Sequence, residues 1–193
     1  MRLTGTEDLR VQKTIRAIKR AFEELICEKD YEHIRVTELC ARSMVNKKTF
    51  YHYYPTLDDL LSELQMDLSS DYIEQVKDFR LPDDAEKVNR VFFEYSAAQG
   101  LAYEKITCST GGYSVTRQEM IDRVTAHTWG RSDAFQALSQ EEQSLVLNFV
   151  STVSVGCYRQ WVAGGKKMPL DEIIRLSNAL MCGGLDRFFH SVK

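Results

Sequence analysis

Apolar residues recur at helical spacing in the first thirty positions and again through much of the chain. In the first of these segments they are Val11, Ile15, Ile18, Phe22 and Leu25. Spacings of three and four place these side chains on one face of a helix, and Thr6, followed by two acidic residues, predicts its start. Glycine is absent between Gly5 and Gly100, whereas strand-rich domains need frequent turn residues. The pattern therefore predicts an all-α fold of about nine helices.

Cationic residues occupy much of the remaining surface of this first predicted helix. They are Arg10, Lys13, Arg16, Lys19 and Arg20. A solvated basic face is the ordinary interpretation of such a pattern, so this face alone identifies no partner.

Two short helices joined by a tight turn are predicted next. Thr37 is expected to cap a helix over residues 38–43, and a connection at 44–45 leads into a second short helix that ends before Pro55. A longer amphipathic helix followed by two such helices is the composition of a helix-turn-helix module, whose second helix presents its N-terminal residues to base edges in the major groove. Phe50 is expected to anchor this helix in the core. The side chains suited to groove binding are Asn46, Lys47, Lys48, Thr49, Tyr51 and His52.

The same region carries a family resemblance. The residues that carry it are VTELCA at 36–41, VNKKTFYHYYPT at 45–56 and DLL at 59–61. With them, roughly residues 10–61 resemble the TetR family of bacterial transcriptional regulators. The resemblance implies an all-helical homodimer with a three-helix DNA-binding head, here residues 1–57, and a helical effector-binding and dimerisation domain, here residues 58–193. It further implies a repressor that a small molecule releases from a palindromic double-stranded operator.

The resemblance also implies roles for individual residues. Lys47, Lys48 and Thr49 match positions that contact bases or the DNA backbone, and Tyr51 and His52 match positions that contact bases or phosphates. Thr37 matches a phosphate contact at the start of the second helix.

Two residues depart from the family pattern. Met44 stands where the family usually has a turn glycine, and a left-handed Met costs on the order of 1 kcal/mol. Leu57 stands where the family commonly has a phosphate-binding lysine, so weaker DNA binding is expected. Thr56 can still cap the fourth helix and offer N–H groups to a phosphate, although Asp58 and Asp59 oppose an anion there.

The last two helices of the body have apolar residues on more than one face. A capping box at Ser139 opens the first and Gly164 ends it, and Pro169 opens the second. One stripe contains Leu145, Phe149, Val153, Cys157 and Trp161. The additional small or apolar positions are Val146, Val150, Ser151, Ser154, Gly156, Ser177, Gly183 and Gly184. A second apolar face favours a homodimer; the alternative is that the monomer covers both faces.

Large rings are frequent in the middle of the body. Phe92, Tyr95, Tyr103 and Trp129 are predicted to line an apolar pocket for a small-molecule effector of unknown identity. The alternative is that these rings form ordinary core, which is the more common role of aromatic residues at helical spacing.

Charge and composition restrict the class of function. Residues 1–57 carry 11 Lys and Arg against 8 Asp and Glu, whereas residues 58–193 carry 14 against 20, so a nucleic-acid contact is expected at the N-terminal end. The five cysteines have no close pairs, which argues against a disulfide scaffold or a structural zinc site. No phosphate loop, metal-ligand spacing or nucleophile motif is present, so the sequence predicts neither an enzyme nor a cofactor.

The polar N-terminus and the short apolar runs predict a cytoplasmic protein without a membrane span. The alternative to a DNA-binding regulator is an interaction or adaptor protein on a TetR-like scaffold that has lost operator binding. Met44 and Leu57 keep that alternative open.

Overall fold

The computed structural model of the chain describes residues 8–108 and 113–191, and in this range all regular secondary structure is helical. The ten α-helices are α1 Leu9–Glu28, α2 Val36–Ser43, α3 Lys47–Tyr53, α4 Leu57–Val76, α5 Ala85–Ala98, α6 Leu101–Cys108, α7 Ser114–Trp129, α8 Asp133–Gln136, α9 Gln140–Ala163 and α10 Leu170–Ser191. A single 3-10 turn, Tyr31–His33, precedes α2. The predicted all-α fold is confirmed. None of these helices combines the length and apolar character needed to cross a bilayer.

The chain divides into two compact units. The first, called the head unit, comprises Met1–Leu68 and Leu101–Gln118, and the second, called the body unit, comprises Ser69–Gly100 and Glu119–Lys193. The predicted head of residues 1–57 lies in the head unit, which also contains residues 58–68 and α6.

The core of the head unit is built on the apolar face of α1. Ile15, Ile18, Phe22 and Leu25 are all fully buried, as their spacing predicts. The core also takes in side chains from α2, from α3 and its C-cap, from α4 and from α6, among them Leu39, Phe50, Tyr54, Leu60, Leu61 and Ile106. The Asp8 carboxylate caps α1 by accepting a hydrogen bond from the Arg10 N–H at 2.8 Å. The predicted capping role of Thr6 lies outside the described residues.

The body unit packs α10 against α9 and α5. One apolar cluster of this unit includes Trp129, Phe135, Val146, Met181 and Leu185. Buried polar groups also join the helices: the Asn89 amide donates to Ser177 Oγ at 3.1 Å, and the Tyr158 hydroxyl donates to the Ser96 carbonyl at 3.0 Å.

The ends of α9 are where the sequence predicts them. The Ser139 N–H donates to Glu142 Oε2 at 2.8 Å, and the Glu142 N–H donates to Ser139 Oγ at 3.3 Å. This reciprocal pair is the predicted capping box, and the helix ends before Gly164.

The inward face of α9 differs from the prediction. Leu145 and Phe149, assigned to the core stripe, are 66% and 37% exposed, whereas Val146 and Ser154, assigned to the additional face, are buried. Because α9 carries apolar residues on more than one side, periodicity alone could not predict which side faces the core. The buried Tyr158, with its hydroxyl on α5, marks the face that turns inward.

Candidate nucleic-acid interface

The turn between α2 and α3 centres on a left-handed methionine. Met44 has φ 54° and ψ 34°, and its side chain is 91% exposed. The Val45 N–H donates to the Cys40 carbonyl at 3.0 Å and closes the turn. The left-handed conformation expected for Met44 is therefore present, at a cost of about 1–2 kcal/mol for a residue with a Cβ.

Asn46 caps α3. Its Oδ1 accepts a hydrogen bond from the Thr49 N–H at 2.8 Å, which satisfies one of the donors left free at the helix start. The carbonyl oxygen of the side chain is thus used within the helix, and its amide NH₂ is the group that can donate to a base.

The sequence-predicted side chains of α3 separate into an outer and an inner set. Lys47, Lys48, Tyr51 and His52 are exposed, and Thr49 is partly exposed. Phe50 is fully buried, with its ring centroid 5.3 Å from that of Tyr51. The structure thus brings the five candidate contact residues together on α3 and anchors them through Phe50, as the spacing predicts.

Thr37 is not the cap of α2. The helix begins two residues earlier than predicted, at Val36, and the N-cap is Arg35, which has extended backbone and no side-chain cap bond. Thr37 is therefore in the first turn, where it is exposed. The N–H groups of a first turn point away from the helix, so Thr37 stays at an end suited to an anion.

Thr56 does cap α4, and it does so with Asp59. The Thr56 N–H and hydroxyl both donate to Asp59 Oδ2, at 2.8 and 2.6 Å, and the Asp59 N–H donates to Thr56 Oγ1 at 3.1 Å. A carboxylate therefore already lies at this helix start, in the place a phosphate would take. Leu57 is half-buried and packs against the core of the head unit.

A partly buried ionic cluster lies at the C-terminal end of α3. Lys19 Nζ lies 2.8 Å from Glu63 Oε1 and 2.6 Å from Asp67 Oδ2, and the Tyr54 hydroxyl donates to Glu63 Oε1 at 3.2 Å. Because Tyr54 is the C-cap of α3, the cluster ties the end of that helix to α4 and α1.

The cluster favours the charged forms of Lys19 and Glu63 and the neutral form of Tyr54. Burial tends to raise the pKa of Glu63, whereas the hydrogen bond and charge of Lys19 contribute to lowering it, and the net shift is downward. Burial would lower the pKa of Lys19, but Asp67 and Glu63 outweigh it and raise that pKa. Burial, reinforced by Glu63, raises the pKa of Tyr54, which keeps its hydroxyl a donor.

The predicted effector-binding rings come from both units of the chain. Phe92 and Tyr95 both lie beside Tyr72, at centroid distances of 6.4 and 5.8 Å. Trp129 is buried in another cluster of the body unit, stacked on Phe189 at 6.3 Å. Tyr103 is buried in α6 of the head unit.

The body unit has a cleft of about 680 Å³ that the sequence did not indicate. Phe79, Leu81, Leu185 and Phe189 contribute its apolar lining. Its charged lining residues are Arg80, Asp83, Arg131, Asp133 and Asp186, and the His190 ring also lines it. The lining of the cleft contains none of the predicted rings Phe92, Tyr95, Tyr103 and Trp129. Trp129 nevertheless stacks on Phe189, which is a lining residue.

Comparison with known proteins identifies the fold. The sequence matches no family model and no curated protein sequence. A TetR transcriptional regulator from Streptococcus agalactiae 2603V superimposes with a TM-score of 0.68 at 20% identity, covering 89% of this chain and 95% of that one. A protein assigned to the TetR family from Syntrophomonas wolfei strain Goettingen gives 0.69 at 17% identity, covering 88% and 93%. The chain has the TetR fold.

A third solved structure with this fold, the dihydroxyacetone kinase operon activator DhaS, gives a TM-score of 0.54 at 19% identity and covers 90% of this chain and 96% of that one. Because all three identities are 20% or lower, the similarity establishes the TetR fold and leaves ligands and operator to be argued from the site.

Sequence reasoning missed two parts of this TetR-like head. For the Thr56–Asp59 pair, the cap by Thr56 was predicted and only the part of Asp59 was missed, although Thr followed three residues later by an acid is a variant of the capping-box pattern. The ionic cluster had none, because Lys19 and Asp67 lie 48 positions apart.

Proposed function

We propose that this protein is a sequence-specific DNA-binding transcriptional regulator that reads the major groove with α3. The observation that carries the proposal is the exposed set of Lys47, Lys48, Thr49, Tyr51 and His52 on a short helix anchored by buried Phe50. Two cations, a hydroxyl, a phenol and an imidazole supply donors and acceptors for base edges and phosphates. The TetR fold supports this function.

Three further residues have roles at the edges of this surface. Asn46 donates from its amide to a base or phosphate while its oxygen caps α3. Thr37 contacts a phosphate at the start of α2. Thr56 contacts a phosphate only if Asp59 moves, because the carboxylate now accepts the Thr56 N–H.

The regulator acts as a homodimer on a palindromic operator. Leu145 on α9 and Leu180 on α10 are 66% and 64% exposed, and Phe149 on α9 is 37% exposed. These apolar side chains support a helix-packed contact with a second copy. Two heads on one dimer require half-sites whose centres lie about 34–36 Å apart, or a multiple of that.

A small molecule releases the protein from its operator and so relieves repression. The sequence-predicted site comprises Phe92, Tyr95, Tyr103 and Trp129, and the cleft beside Phe189 is the second candidate. Trp129 stacks on Phe189, so a ligand in the cleft would change Trp129 fluorescence. One neighbour is described as an operon activator, so the sign of regulation needs a direct test in a reporter strain.

Affinity selection from random duplex DNA tests the central proposal. The wild-type chain should enrich a palindrome, and K47A/K48A should lose it. The matched control is K77A/K87A, which removes the same charge from two exposed lysines of the body unit. Unchanged affinity of K47A/K48A at moderate salt would show that α3 does not read DNA. A wild-type chain that enriches no duplex would instead favour the interaction-protein alternative.

A further inference from the structure

Three cations form a stripe along the outer face of α1. Arg10, Lys13 and Arg16 are exposed, on the side of the helix away from buried Ile15 and Ile18. Each lies three residues from the next, so the stripe extends about 9 Å along the helix axis at 1.5 Å per residue. We call these three residues the α1 stripe.

Four other cations of the head unit lie within 4.0 Å of a carboxylate. The pairs are Lys19 with Glu63 and Asp67, Arg20 with Glu24, Lys29 with Glu38, and Arg42 with Glu28. Arg10, Lys13 and Arg16 make no ion pair with any residue in 8–108 or 113–191. The fold therefore pairs Lys19 with two carboxylates and leaves three neighbours on the same helix without an ion pair within the described residues.

Like charges one helical turn apart repel each other and disfavour the helix. A bound anion removes that repulsion, and the spacing of the three cations indicates how far apart its negative charges lie. One DNA strand presents a phosphate every 3.4 Å along the duplex axis, so about 9 Å of helix spans roughly three phosphates. Arginine at both ends suits this partner, because guanidinium binds phosphate oxygens in a bidentate manner.

We propose that the α1 stripe binds the phosphate backbone of the duplex that α3 reads. This inference rests on the proposed function and adds a second, sequence-independent contact surface to it. Phosphate contacts fix the position of a protein on the duplex without distinguishing bases. The α1 stripe is therefore expected to contribute equally to the binding of operator and of unrelated DNA.

The test compares two single-charge variants one turn apart. R16Q removes a stripe cation, and R20Q removes a cation of the same helix that lies 3.6 Å from Glu24 and is 78% exposed. Affinities for the selected duplex and for a scrambled duplex of equal length are measured as salt increases. R16Q should lower the slope of log affinity against log salt by about 0.9 per bound protomer, on both duplexes. R20Q should leave both slopes at the wild-type value.

The triple variant R10Q/K13Q/R16Q extends the test and should lower the slope by about 2.7 per bound protomer. Circular dichroism and thermal melting check that α1 remains helical, since Gln and Arg have similar helix propensities. A wild-type slope in R16Q would overturn the inference, and so would an equal drop in R16Q and R20Q, which indicates net charge alone. With either result, K47A/K48A can still lose DNA binding, so a failure of the α1 stripe inference can be distinguished from a failure of the proposed function. If the wild-type chain selects no duplex, the proposed function itself is contradicted, and the inference that rests on it fails with it.

Discussion

Met44 has a backbone conformation that its own side chain disfavours. The residue is left-handed and 91% exposed, so its side chain contributes almost no packing to offset the steric cost. The sequence predicted this conformation, because a helix-turn-helix turn needs it whichever residue is present. Thus the backbone requirement of the turn, rather than the identity of residue 44, determines the local structure.

Met44→Gly should stabilise the protein. Glycine adopts positive φ without a Cβ clash, and after its greater loss of chain entropy the expected gain is about 1 kcal/mol in the free energy of unfolding. Urea denaturation measures this gain. Met44→Ala is the control, because it shortens the side chain and keeps the Cβ. Equal stabilities of the two variants would contradict the strain argument.

Glu63 should contribute stability that depends on its charge. Replacing it with Gln removes the ion pair with Lys19 while Asp67 remains, and a lost charged hydrogen bond of this kind costs about 2 kcal/mol at neutral pH. Since the folded pKa of Glu63 lies below its ordinary value of 4.5, the contribution is present above that value and is lost as the pH falls through the folded pKa.

This dependence is measured by denaturing wild type and E63Q at about pH 3 to 8, a range that includes the pH at which acidic side chains change charge. The stability difference should be largest near neutrality and should shrink on acidification. E74Q is the control, since Glu74 pairs with Lys77 on the surface and exposed pairs contribute little. A difference that grows on acidification would contradict the assigned direction.

The sequence predicted which helices exist better than it predicted where each helix begins and ends. Gly164 and the capping box of Ser139 gave the correct limits of α9 because local hydrogen bonds determine them. The start of α2 was placed too late, because Thr37 was taken as the cap, whereas the actual N-cap, Arg35, makes no side-chain cap bond. The four-residue α8 is too short to show periodicity.

Phe50→Ala should damage the head through packing alone. Phe50 is completely buried, and truncation of a buried Phe costs about 3–5 kcal/mol. Tyr51→Ala, on the adjacent position with 52% exposure, should leave stability almost unchanged and alter which operator is preferred. Thermal melting and competition binding measure the two effects. A stable Phe50→Ala variant, or a destabilised Tyr51→Ala variant, would contradict the assignment of inner and outer faces.

For the whole molecule, helix orientation required information beyond the sequence. The sequence found surplus apolar surface on α9 and α10 but could not choose which face turns outward. The structure buries Ile174 completely and exposes Leu145 and Leu180, which makes the last two the better positions for testing association. The prediction of an aromatic effector site had the same limitation, because ring-rich helices form core and pockets alike.

Charge at Leu145 and Leu180 should separate the proposed dimer. Each exposed Leu that becomes buried between two copies contributes about 1.5–3 kcal/mol, and a carboxylate in that contact would be left without a partner. Sedimentation should give twice the 22.3 kDa of one chain for wild type and a single chain for L145E/L180E. The control is L101E, at a leucine of the head unit that is 53% exposed, and it should remain a dimer. Since only a dimer engages both half-sites at once, L145E/L180E should also lose affinity for the palindrome while each half-site binds as before. A dimeric L145E/L180E, or a wild type that sediments as one chain, would contradict this surface as the interface.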